Sequence, residues 1–342
     1  MTSLLRHRLF WPSVALIALL AANTVNTPTF LDVRVQDGHL FGAPIDILRN
    51  TAPLLLVALG MTLVIATRGI DLSVGAVVAI SGAVALSTIA ASPNPGSFGT
   101  VAGAVAVALG LCFVLGLWNG LLVSVIGIQP IIATLVLMTA GRGIAMLITG
   151  GQITTVTSAP FKTIGSGHVA GLPVPVVVAA AVFVIVAVLT RRTALGMLIE
   201  SVGINPEASR LAGVRSRSII WAVYALSALF AGTAGLMISS NVMAADANNA
   251  GLFIELDAIL AVVIGGTLLT GGKFSLAGTL IGALVIQTLT LSVTILGVSP
   301  SVTPLFKAIV VIAVCLLQAP VVRRALSARR PPPVAAPVEV TA

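Results

Sequence analysis

The stretch Leu54–Leu86, LLLVALGMTLVIATRGIDLSVGAVVAISGAVAL, is two uncharged apolar runs that meet at one polar break, Thr67-Arg68-Gly69-Ile70-Asp71. The break holds an Arg and an Asp three positions apart, with Ser73 just beyond. Runs this apolar do not suit a soluble helix, and their lengths approach the roughly 20 residues that a bilayer crossing needs. A charged break between two such runs is either a turn at the interface or a functional interruption at membrane depth, because ionisable groups in hydrocarbon are costly and rarely idle.

Composition agrees. Of 342 residues, 58% are hydrophobic and 8% charged, and mean hydropathy is +1.13, against about 25% charged residues in a soluble domain. The chain reads as an all-α integral membrane protein, since lipid-exposed backbone must satisfy itself in helices or closed barrels. About ten spans are predicted: Leu9–Asn23, Ile47–Thr67, Asp71–Ala90, Thr100–Ile126, Ile131–Thr149, Val174–Leu189, Ile219–Ser239, Glu255–Thr270, Leu276–Leu296 and Pro304–Val321. The first is short and reads as a retained signal anchor. Residues 1–322 form a single transmembrane domain, and 323–342, rich in Pro and Ala, are expected to be a disordered tail.

The net charge of +8 would suggest nucleic acid in a soluble protein, but here the basic residues flank apolar runs and no basic patch is interleaved with aromatics, so nucleic acid is set aside. With the N-terminus inside, one side collects Arg6, Arg8, Arg68, Arg191, Arg192, Arg210, Arg215, Arg217, Lys273, Arg323, Arg324, Arg329 and Arg330. The other keeps Arg34, Arg49 and Lys162. This bias is the positive-inside pattern with both termini cytoplasmic. Cys112 and Cys315 lie in apolar runs and read as small buried hydrophobes. His7, His39 and His168 are scattered and lack metal-ligand spacing, and no nucleophile elbow is present.

The loop 190–218 is the longest charged stretch. In it Asn205-Pro206-Glu207 is a helix start: Asn as N-cap, Pro at the first position, an acid at the positive helix end. Gly213 is the matching C-terminal stop. A short helix over Pro206–Ala212 is predicted at the membrane surface with Arg210 outward. Spacing alone makes it a surface connector.

Small-residue spacings, Gly99/Gly103, Gly116/Gly120 and Gly278/Gly282, suit close helix packing. Polar residues in or near the spans are candidates to line a route for a hydroxyl-rich solute: Asp71, Asn119, Gln129, Thr134, Thr139, Arg142, Gln152 and Gln287. Each also suits the structural alternative of holding helices together. Gln129-Pro130 reads equally as a loop or a broken helix. Asp246, Asn249, Glu255 and Asp257 fit an outer gate or docking face, or a solvated loop followed by an acidic helix start. Thr267–Phe274 ends in Gly-Gly-Lys like a phosphate-binding loop. However, Thr267 stands at its first glycine and Phe274 at its magnesium-binding hydroxyl, so the chain is expected to bind no nucleotide.

The break resembles the GMTxVIxTGGIDLSVG segment of ABC-type monosaccharide permeases, the ribose/xylose/galactoside branch. Gly60-Met61-Thr62, Val64-Ile65, Thr67 and Gly69 through Gly75 match, and Arg68 replaces the usual Gly. In the loop, Arg192-Thr193, Gly196, Gly203, Asn205-Pro206-Glu207-Ala208, Arg210 and Gly213 match the same permeases, with Met197 and Ser209 departing. The segment around Gly251, Glu255–Ile259 and Ala261–Gly266 is similar as well. The VQDGHLFGAPIDIL form of Val35–Leu48 is similar to galactofuranose-type permeases.

The resemblance implies a polytopic bundle with a cytoplasmic coupling helix, in which Gly203, Asn205, Pro206, Glu207, Arg210 and Gly213 face an ATPase subunit. It implies sugar import by alternating access in the bacterial inner membrane. The partners would be that ATPase, which holds the ATP and Mg, a second permease (a paralogue rather than a second copy), a periplasmic sugar-binding protein and membrane lipid. The chain itself would carry no cofactor and act as a transport subunit, not an enzyme. The competing readings are a permease of this family for ribose or another sugar, a branched-chain amino acid permease, and an ion-coupled carrier. The last predicts conspicuous mid-span acids, which the spans lack.

Overall fold

The computed structural model describes residues 9–318 apart from 37, 298, 300 and 301. The predicted tail 323–342, His7 and the terminal arginines lie outside the described residues, as does the side chain of Cys315. The described residues are mainly helical. In order come α1 Phe10–Asn26, α2 Ala43–Ala66, α3 Val74–Ala90, α4 Phe98–Leu121, α5 Pro130–Ile148, α6 Ala159–Ser166, α7 Val174–Arg192, α8 Leu195–Ile204, α9 Pro206–Leu211, α10 Ser216–Val242, α11 Ile254–Ile264, α12 Leu276–Ile295 and α13 Thr303–Gln318. One π turn, Leu122–Ile126, closes α4.

Each of the ten predicted spans overlaps one of these helices, which does not by itself make ten crossings. Among the described residues six helices are long and apolar enough to cross a membrane: α2, α4 with its π turn, α5, α7, α10 and α12. Two spans come out shorter than expected. The Glu255–Thr270 run stops as helix at Ile264, where Gly265-Gly266 turn the backbone, Gly266 at φ 81°. Asp71 and Leu72 stay outside α3, because the Asp71 side chain binds the backbone of the following turn instead of joining the helix. The stretch after α4 is a turn, not a helix broken in the middle: Gly127 is left-handed and Pro130 opens α5. Loop 190–218 holds a second helix, α8, ahead of the predicted one.

The centre is α2, packed against α7, α10, α11 and α12, while α3 is enclosed by α4, α5 and α10. From Leu54 to Ala66 nearly every α2 residue is buried. The outer helices keep apolar faces exposed, with Val107, Phe113 and Trp118 on α4, Ile132 and Val136 on α5, and Ile185 and Val188 on α7. Such faces match lipid, which is as apolar as they are. Packing then depends on small residues and internal hydrogen bonds.

Two of the three glycine spacings serve this. A Cβ at Gly116 would meet Ala225 and Ala228 of α10, and Gly278 and Gly282 lie against the backbone of Gly265 and Ala261. Gly99 and Gly103 meet no neighbouring helix. That spacing falls on an exposed face, where nothing requires small residues.

Three two-stranded antiparallel ribbons cap the end of the bundle opposite Arg68. β1 Arg34–Gln36 pairs with β2 His39–Phe41, β3 Thr154–Thr155 with β6 Ala244–Ala245, and β4 His168–Val169 with β5 Leu172–Pro173. The Leu40 amide donates to the Gly171 carbonyl at 3.0 Å, tying two ribbons together. His39 and His168 are not scattered, as the sequence suggested. Their rings stack with centroids 4.3 Å apart.

Candidate functional site

The break between α2 and α3 is a built polar centre. Asp71 is buried, and one carboxylate oxygen accepts from the Ser73 amide (3.1 Å) and hydroxyl (2.6 Å). The other accepts from the Ser227 hydroxyl of α10 at 2.9 Å. Asn119 of α4 donates to the Ser73 hydroxyl at 2.9 Å, and the Thr134 hydroxyl of α5 donates to the Ile70 carbonyl at 3.2 Å. Three of the predicted residues, Asp71, Asn119 and Thr134, therefore meet at one point, where four helices converge. Sequence reasoning missed Ser227 and the buried Tyr224, whose hydroxyl lies beside Gly69. A Ser or Tyr within an apolar helix carries no signal until its neighbour is known.

Arg68 takes a left-handed backbone, φ 65°. The turn thus needs the conformation that glycine adopts freely, although Arg occupies it. Its side chain compensates by donating to the carbonyls of Ile204 and Thr270, the latter at 3.2 Å. The Gly272 amide donates to the Ala66 carbonyl at 2.9 Å, and a Cβ at Gly203 would run into that same carbonyl. The end of α2, the end of α8 and the α11–α12 turn are so joined by backbone contacts.

Next in sequence is α9, as predicted to within one residue. Asn205 accepts from the amides of Glu207 (3.1 Å) and Ala208 (3.0 Å). At the other end Val214 donates to the Ser209 carbonyl at 2.9 Å and Gly213 to that of Arg210 at 3.0 Å, with Gly213 at φ 87°. This is a Schellman closure. Arg210 is exposed and pairs with Glu207 at 2.5 Å. That bond holds the Glu207 carboxyl below its usual range and raises Arg210. Apolar side chains stand out around the helix: Leu211 is 78% exposed, Met197 68% and Ile204 59%. A helix capped at both ends, backed by the bundle and edged with exposed apolar groups is suited to carry force from a partner.

At the opposite end, Asp246 organises residues 246–251. Its oxygens accept from the amides of Asn248 (3.0 Å) and Asn249 (3.2 Å) and from the Asn249 side chain (2.7 Å). The last of these holds its carboxyl below the ordinary range. Arg142 of α5 reaches this loop and donates to the carbonyls of Ala247 (3.0 Å) and Ala250 (2.6 Å). Glu255 is buried against Gly75 of α3, where no side chain fits between them. Arg142, Asp246, Asn249 and Glu255 therefore belong to one assembly that fixes the loop to α3 and α5.

Asp257 and Gln287 fall elsewhere, on a cavity of about 320 Å³ among α2, α6, α7, α10, α11 and α12. Asp257 pairs with Lys307 of α13 at 2.6 Å. Arg49, Asn50 and Asn241 also line this cavity; sequence reasoning counts Arg49 only among the outer-loop basic residues, whereas it lies within α2, and singles out neither asparagine. A signal was available, since Arg49-Asn50 sits one turn before Pro53 inside α2. Gln129 and Gln152 are exposed in turns, and among the described residues neither side chain has a hydrogen-bond partner. They join none of these clusters. Among the described residues no group of three or more His, Cys, Asp or Glu is placed to hold a metal.

Residues 43–315 match the family described as branched-chain amino acid transport system, permease component. Curated relatives include the galactofuranose transporter permease protein of Escherichia coli, 48% identical over 92% of each chain. The fructose import permease protein of Bifidobacterium longum is 43% identical over 93% of this chain and 89% of its own. The ribose import permease protein of Haemophilus influenzae is 38% identical over 89% of this chain and 90% of its own. No solved structure matches the chain. The chain belongs to this family of multi-pass transport permeases, on the branch that holds the sugar-import permeases, and is a transport subunit rather than an enzyme.

Proposed function

We propose that this chain is a permease subunit of an ATP-driven importer for galactofuranose, in the inner membrane with both termini cytoplasmic. The observation that carries the reading is the α8–α9 segment, capped at Asn205 and Gly213, exposed at Leu211 and Arg210, and joined through Gly203 and Ile204 to the α2–α3 break. A separate ATPase, holding ATP and Mg, docks on α9. Closure of its two sites pushes α9, and the push reaches Ala66 and Arg68 through backbone contacts instead of soft side chains. The break at Asp71 then shifts α3 relative to α10, and the start of α3 carries Gly75 and the Glu255 packed against it.

Galactofuranose is favoured by the 48% identity to the galactofuranose permease. The Val35–Leu48 segment, which forms the β1–β2 ribbon and the start of α2, supports the same choice. A periplasmic binding protein delivers the sugar to the ribbon-capped end, and a second permease completes the path.

The test is affinity purification from native membranes in mild detergent, then reconstitution of the captured complex in proteoliposomes. Recovery of an ATPase and ATP-dependent uptake of galactofuranose in preference to ribose and fructose supports the reading. Preference for ribose or fructose corrects the sugar. Uptake driven by an ion gradient, with no ATPase recovered after cross-linking, overturns it.

A further inference from the structure

The cavity of about 320 Å³ is lined by residues of this chain and carries three side-chain amides. Small-molecule sites occupy about 300–1,000 Å³, so its size suits a small ligand. Its amides have donors to spare, with Asn50 and Asn241 at its exposed mouth and Gln287 deeper. Among the described residues Asn50 and Gln287 make no side-chain hydrogen bond, and Asn241 uses only its oxygen, accepting from Arg49 and from Ser166 at 3.0 Å. Gln287 is half-buried in the middle of α12 and is the one amide side chain on that helix. Its amide is open to the cavity and is free to pair with whatever occupies it.

The backbone adds an acceptor. Pro53 has no N–H, so the helix cannot supply the usual donor to the Arg49 carbonyl four residues back. The charges are largely committed: Asp257 to Lys307, Arg49 to Ser166 and Asn241. Leu54 and Met237 form an apolar wall. Amides that donate and accept, committed charges and an apolar wall describe a site for a neutral polyol ring, with hydroxyls at its edge and C–H groups on its face.

We propose that this cavity binds a single neutral monosaccharide inside one permease subunit, at the ribbon-capped end of the bundle, before the sugar enters the path shared with the second subunit. The proposal rests on the sugar-import reading.

The experiment uses the complete transporter in proteoliposomes, with Cys112→Ala and Cys315→Ala removing the native thiols. Asn50→Cys places one thiol in the cavity, and Phe98→Cys places a control on an exposed helix start. Modification by a membrane-impermeant methanethiosulfonate is followed with and without free galactofuranose, ribose or fructose. The imported sugar is expected to slow labelling at Asn50→Cys and leave Phe98→Cys unchanged. Adding Gln287→Leu is expected to raise the half-protecting sugar concentration about tenfold, the effect of losing one hydrogen-bonding amide. Should that variant fail to assemble, Gln287→Asn gives the same reading. Equal slowing at both thiols, no slowing, or protection only by a sugar phosphate overturns the proposal. If uptake proceeds without protection, only the cavity assignment falls. If no sugar is taken up, the import reading falls and takes the cavity with it.

Discussion

Arg68, at the break between α2 and α3, donates from its guanidinium to the backbone carbonyl of Ile204, the residue just before the Asn205 cap of α9. One long side chain therefore spans from the membrane hinge to the segment assigned to the ATPase. It does so from a left-handed backbone that costs about 1–2 kcal/mol for a residue with a Cβ. The two carbonyl bonds offset that cost. Arg68→Gly removes both the strain and the bonds, and is expected to stay close to the parent in apparent Tm. Arg68→Ala keeps the strain and loses the bonds, and is expected to be the least stable, by about 1 kcal/mol. Thermal unfolding in detergent ranks the three. Arg68→Ala equal to or above Arg68→Gly would show that the left-handed turn carries no strain.

The Asp71 carboxylate is held by hydroxyls and an amide, with no cation among its bonded partners. Removing the Ser227 hydroxyl leaves a buried carboxylate oxygen one donor short, a loss of about 1–3 kcal/mol. Ser227→Ala is expected to lower the apparent Tm, and Ser227→Thr, which keeps the hydroxyl, to recover part of it. A Ser227→Ala protein as stable as the parent would mean water replaces the hydroxyl and the centre is wetter than its burial indicates.

The sequence carried the break, the order of the helices and α9 with its caps, because those follow from local chemistry: apolar run length, a capping Asn, a stopping Gly. It also brought out Asp71, Asn119 and Thr134, although not that they meet. What it did not carry depends on side chains distant in sequence. Ser227 matters because α10 passes Asp71, and Arg49 and Asn241 matter because α2 and α10 part around a cavity. The Gly99/Gly103 spacing misled for a related reason, since a small-residue pattern does not indicate which face it lies on.

Burial, reinforced by His39 and Arg49 nearby, lowers the His168 pKa from its ordinary 6.5. The unfolded ribbon then binds more protons than the folded one as pH falls through about 6.5, so stability increases with pH across that window. The contact of the β4–β5 ribbon with β2 is therefore expected to be complete above the ordinary value and to weaken below it. Limited proteolysis at about pH 7.5 and about pH 5.5 should cut residues 168–173 faster in acid. His168→Phe keeps a flat ring on His39 without a charge and should remove the difference. Equal cutting of the parent at both pH values would show that the stacked pair carries no proton-linked energy.

The coupling assignment makes two variants at neighbouring positions behave differently. Asn205→Ala removes a cap that satisfies two amides, which costs about 1 kcal/mol of local helix stability. It should weaken ATPase binding, and lower temperature should restore it in part. Arg210→Glu leaves the cap intact. It breaks only an exposed pair with Glu207, which adds little to stability, yet it reverses the charge presented to the partner. Its Tm should match the parent while transport per ATP hydrolysed falls, with no recovery on cooling. Sugar uptake and phosphate release in the same proteoliposomes separate the two outcomes. If Arg210→Glu transports normally and keeps its ATPase bound, α9 is a surface connector, and the push on Ala66 must enter the bundle from the Gly271-Gly272 turn instead.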